Sequence, residues 1–67
     1  MSPRQLGRML KERREAKGMS QMALAKVARV GRTYIVKLES GDKKNPSLDV
    51  LKRLAKALGV DVTELLK

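Results

Sequence analysis

The 67 residues leave room for one small domain and no second. Sixteen are Lys or Arg and 7 are Asp or Glu, a formal charge of +9, so a polyanionic partner is expected, nucleic acid before a membrane surface. The absence of Cys and His excludes zinc fingers, disulfide frameworks and catalysis by either side chain. No apolar run is long enough to span a bilayer, and Met1-Ser2-Pro3-Arg4 lacks the apolar core of a secretory signal. The expectation is a cytoplasmic protein, nucleoid-associated when bound, indifferent to redox state, with no membrane, metal or cofactor.

Ser2-Pro3 starts a first helix, because Pro suits the first helical position, and Leu6, Met9 and Leu10 recur at helical spacing before Gly18 stops it. Arg13 breaks this stripe, and its stem is expected to cover the edge of the core. Ser20 caps a second helix, Gln21 to Ala28, with Leu24, Ala25 and Ala28 on one face. Its capping box is incomplete, since Ala23 stands where Glu or Gln would reach back. Met19 and Met22 read as core and surface filler. After Arg29-Val30-Gly31 a third helix runs from Arg32 to about Ser40, with Ile35 and Leu38 inward and Gly41 as its stop. Asp42 to Pro46 is a polar loop. Ser47 then caps a fourth helix bearing Leu48, Leu51, Leu54, Ala55 and Leu58, and Gly59 ends it. Lys52, Arg53 and Lys56 form a solvated face of that helix. Asp61 and Glu64 have the spacing of a capping box for a last turn, with Val60 and Leu65 as its hydrophobic staple. The fold class is therefore all-α: five short helices around an aliphatic core.

Two short helices joined by three or four residues cannot lie antiparallel and must cross steeply, an approach that the small side chain of Ala25 permits. At 100° per residue, Arg32, Thr33, Val36 and Lys37 occupy an arc of about 140° facing away from Ile35 and Leu38. Cations and a hydroxyl suit base-edge acceptors, and Val36 suits a thymine methyl, so this face fits a major groove.

The stretch Met19-Ser20-Gln21, Leu24-Ala25, Ala28-Arg29-Val30, Tyr34-Ile35, Leu38-Glu39-Ser40-Gly41 and Pro46-Ser47 resembles the phage repressor and Cro helix-turn-helix family (XRE type). The tail Leu54-Ala55-Lys56-Ala57-Leu58-Gly59-Val60 with Glu64-Leu65-Leu66 resembles that family's last two helices. The resemblance implies a lambda-repressor-like domain over residues 1–67, with the helix-turn-helix at about 20–40 in helices 2 and 3. It implies that Arg32, Thr33, Val36 and Lys37 touch bases. Gln21, Tyr34, Ser40, Lys43 and Lys44 are the phosphate contacts it implies, and Arg14 is expected to pair with Glu39 to orient the first helix against the third. Two residues depart from the family pattern. Arg29 occupies a turn position usually held by Gly, where a positive φ costs a residue with a Cβ roughly 1–2 kcal/mol; a phosphate contact from Arg29 is a further expectation. Gly31 replaces the usual Ser or Thr cap, so a shift of the turn is expected.

The function so implied is sequence-specific binding of double-stranded DNA by a transcriptional regulator, a repressor acting as a homodimer on an inverted repeat. One short helix reads too few base pairs for genomic specificity, and a two-fold pair doubles the reading across half-sites about one helical turn apart. Leu48, Val60, Val62 and Leu66 are the candidate dimer interface. The alternative is a protein-interaction or bridging module, or an antitoxin-like partner, on the same fold. An enzyme is excluded by scattered carboxylates, the absence of a phosphate loop, and the absence of a nucleophile with a base beside it.

Overall fold

In the computed structural model, residues 2–43 and 45–66 are described, and they form five helices. Helix α1 spans Pro3–Ala16, α2 Gln21–Ala28, α3 Arg32–Ser40, α4 Leu48–Leu58 and α5 Val62–Leu65. Four of the five starts carry a side-chain cap, and at α5 the carboxylate bonds one residue earlier than the expected capping box would place it. The hydroxyls of Ser2, Ser20 and Ser47 accept the backbone N–H groups of Gln5, Ala23 and Val50 at 3.1, 3.0 and 3.1 Å. The Asp61 carboxylate accepts from Thr63 at 3.1 Å.

The core gathers Leu6 and Leu10 of α1, Leu24, Ala25 and Ala28 of α2, Ile35 and Leu38 of α3, Leu51, Leu54, Ala55 and Leu58 of α4, and Leu65 of α5. Helix α1 packs on α3 and α5, while α2 lies between α3 and α4. The core therefore holds α3 by its inner face and leaves the opposite face bare.

One sequence expectation on α1 changes. The buried stripe continues from Leu10 to Arg14, one helical turn further on, so Arg14 and not Arg13 takes the place of an apolar residue. Arg13 lies on the flank and reaches Glu64 of α5 at 2.8 Å, with both side chains about a third exposed. Such a pair is worth about 0.2–1 kcal/mol. Gly7, a residue the sequence reading passes over, is where α1 meets α3. A Cβ there would collide with the Leu38 carbonyl oxygen and come within 2.8 Å of that of Glu39.

Candidate nucleic-acid interface

The site begins at the turn between α2 and α3. Arg29 sits at φ 57°, ψ 45°, the left-handed region, and is the one non-glycine residue with positive φ among those described. The Ala25 carbonyl accepts the N–H groups of both Arg29 and Val30, which closes α2. The expected shift of the turn does not occur: an arginine takes the strained conformation, and Gly31 caps α3 without a side-chain bond. A contact absent from the sequence reading supports it. The Arg53 guanidinium of α4 donates to the Arg29 carbonyl at 3.0 Å and pairs with Asp49 at 3.2 Å. Arg53 is thus not merely part of a solvated face.

Beyond the turn, Arg32, Thr33, Val36 and Lys37 are all exposed on α3, opposite the buried Ile35 and Leu38. Val36 stands 39% exposed, an apolar side chain amid cations and a hydroxyl. The one carboxylate on α3, Glu39, is turned inward and paired, so the outer face carries no negative charge.

Glu39 is the hub of a three-helix network. Its carboxylate accepts from Arg14 Nε at 2.7 Å and Arg14 Nη2 at 3.0 Å, a bidentate pair. It also accepts from Gln21 Nε2 at 3.2 Å. The remaining Arg14 nitrogen, Nη1, donates to the Met19 carbonyl at 2.7 Å. The Arg14 and Glu39 side chains are 10% and 5% exposed, so this is a buried ion pair with its donors satisfied. The pair holds the Arg14 pKa above its ordinary, already high value. The hydrogen bond that Arg14 donates to Glu39 is the largest cause, and it outweighs the opposing effect of burial. The sequence reading has the pair but not Gln21 as its third member.

The expected phosphate contacts fall into two groups. Gln21 opens α2, held toward α3 by Glu39. Tyr34 and Lys43 come together at the other end, with the ammonium 5.1 Å from the ring centroid, a cation–π contact that ties the loop to α3. The Ser40 hydroxyl donates to the Lys37 carbonyl at 3.0 Å and accepts from the Asp42 N–H at 3.4 Å, so its proton is engaged in closing the helix. Lys44 lies outside the described residues.

The candidate interface residues at the C-terminal end divide. Leu48 and Leu66 are 55% and 43% exposed, whereas Val60 and Val62 are half-buried against the core. Beside Leu66 a groove of about 230 Å³ is lined by Pro3, Leu6, Pro46 and Leu51.

A second helix that positions a third by its first turn, with the third helix's outer face cationic and free, defines a helix-turn-helix DNA-binding domain. Comparison with known proteins agrees: the chain belongs to the helix-turn-helix family (HTH_3), whose model matches residues 10–65. It is 38% identical over 60 residues to the HTH-type transcriptional regulator SlrR of Bacillus subtilis, covering 90% of this chain and 40% of SlrR. Among solved structures, the restriction-modification controller protein C.AhdI of Aeromonas hydrophila is similar at TM-score 0.90 and 38% identity, over 94% of each chain. The biofilm regulator SinR, solved in complex with DNA, matches at TM-score 0.90 and 34% identity, over 92% of this chain and 98% of that one. The kinship is with DNA-binding transcription regulators rather than enzymes. Among the described residues, no helix is long and apolar enough to cross a membrane.

Proposed function

We propose that this chain is a sequence-specific repressor that binds an inverted-repeat operator as a homodimer, with α3 in the major groove and acting in the cytoplasm. The observation that carries the reading is the outer face of α3. Arg32, Thr33, Val36 and Lys37 lie together there, exposed, while the only carboxylate of the helix is buried. Arg32 and Lys37 have the donors for guanine O6 and N7, Thr33 has a hydroxyl for either kind of edge, and Val36 has the surface for a thymine methyl. Gln21, Tyr34, Ser40, Lys43 and Lys44 are assigned to phosphates, which set position rather than sequence. In this reading the Arg14–Glu39–Gln21 network fixes the angle at which α3 is presented, because each member sits on a different segment of the site.

Dimerisation is assigned to Leu48, Val60, Val62 and Leu66, of which Leu48 and Leu66 are the exposed pair and Leu66 adjoins the groove at Pro3 and Pro46. The chain spans 40% of SlrR, so a role like that relative's is part of the proposal and not of the family assignment. Selection from a pool of randomised duplexes at near-physiological salt tests the reading. An enriched inverted repeat with half-sites about one helical turn apart is the expected result. An unenriched pool, with binding that falls steeply as salt rises, would reduce the interaction to charge alone.

A further inference from the structure

Between α2 and α4 lies a groove of about 490 Å³, lined by Val27, Ala28, Arg29, Arg53, Lys56 and Ala57. No residue of α3 contributes to it, and α2 lies between α3 and α4, so the groove is on a different flank from the reading face. Its wall carries Val27, which at 60% is the most exposed large hydrophobic side chain among the described residues, with the small Ala28 and Ala57 leaving room beside it. Its rim is cationic. Arg53 is held in place by Asp49 and the Arg29 carbonyl, while among the described residues no carboxylate answers Arg29 or Lys56.

We propose that this groove docks an acidic segment of a partner protein, one that places an apolar side chain against Val27 and flanking carboxylates against Arg29 and Lys56. Charge complementarity selects this occupant. A second copy of the chain matches the rim poorly, since three of its seven carboxylates, Glu39, Asp49 and Glu64, already pair with arginines of their own chain. A DNA backbone offers phosphates to the rim but nothing for an apolar wall to bury, and groove recognition of peptides rests on such apolar anchors. The domain thereby has a second surface, of which Arg29 alone belongs to the turn before α3, through which a DNA-bound protein touches another.

The test is selection of a randomised short-peptide library on the full chain, with excess non-specific duplex DNA present to occupy the α3 face. Two variants then separate the groove from overall charge. Val27→Asp and Lys52→Gln each lower the net charge by one, but Lys52 does not line the groove. Val27 is exposed, so Val27→Asp leaves the core intact, and far-ultraviolet circular dichroism checks this. The expected result is an enriched motif of Asp and Glu around an apolar residue, bound about tenfold more weakly by Val27→Asp than by wild type and nearly unchanged by Lys52→Gln. DNA affinity should shift equally in both variants. Absence of an acidic-apolar motif, or equal weakening of the peptide by both variants, would overturn the proposal. A selective loss of DNA binding in Val27→Asp would assign the groove to DNA instead.

Discussion

Removing the Glu39 carboxylate should be the most damaging single polar change in this domain. Glu39→Ala strips three hydrogen bonds at once, two from Arg14 and one from Gln21, and leaves the guanidinium with the Met19 carbonyl as its partner. Because the Arg14 side chain is only 10% exposed, water cannot replace what is lost. Breaking one side of such a buried pair costs about 3–5 kcal/mol. A domain of this size is stable by roughly 3–10 kcal/mol in all, so the variant is expected to lose about a third or more of its stability. Urea denaturation followed by circular dichroism measures the loss. Arg14→Met combined with Glu39→Leu should return to within about 1 kcal/mol of wild type, since an apolar pair of similar volume avoids the stranded charge. That double variant should nevertheless bind DNA more weakly, because Gln21 loses its acceptor. A loss below about 1 kcal/mol for Glu39→Ala, the value of an exposed pair, would refute the reasoning.

Gly7→Ala should destabilise the fold by about 1–3 kcal/mol despite alanine's better helix propensity, because the new Cβ meets the Leu38 and Glu39 backbone oxygens; unchanged urea stability would contradict the close approach of α1 and α3. Arg29→Gly relieves a left-handed residue and should raise stability by up to about 1 kcal/mol. If Arg29 touches a phosphate, the salt dependence of DNA binding in that variant falls by about one counterion; an unaltered slope removes Arg29 from the interface. Leu66→Asp should leave the fold intact, since Leu66 is 43% exposed, yet abolish the dimer in sedimentation equilibrium and reduce operator binding to that of a half-site. A persisting dimer would move the interface elsewhere.

The elements of the fold were legible because each is written locally. Ser2, Ser20 and Ser47 announce helix starts within three residues, and Gly41 and Gly59 take the left-handed turns that end α3 and α4. The exposed face of α3 was legible for the same reason: helical arithmetic from Ile35 and Leu38 is enough to place Arg32, Thr33, Val36 and Lys37 outside. What escaped depends on partners far along the chain. Arg53 meets the Arg29 carbonyl 24 residues away, and Arg13 meets Glu64 across 51, distances at which periodicity says nothing. The sequence pairs Arg14 with Glu39, but the burial of Arg14 as the continuation of the α1 stripe shows only in the folded chain. Gly7 did leave a trace, a helix-interior glycine that costs about 1 kcal/mol relative to alanine, and the close approach of α3 is its physical reason. The αL conformation of Arg29 runs the other way: the turn kept its register although its residue type argued against it, with Arg53 and Asp49 bracing it from α4.

Whether the outer face of α3 reads bases is decided by duplex selection repeated with Thr33→Ala and Lys37→Ala. Both residues are exposed and neither supports the core, so the variants should fold as wild type does. Each should still enrich an inverted repeat of the same spacing but relax the preference at particular positions by about 1–3 kcal/mol. Variants that select the wild-type sequence at every position with unaltered preference would show that α3 does not read the DNA.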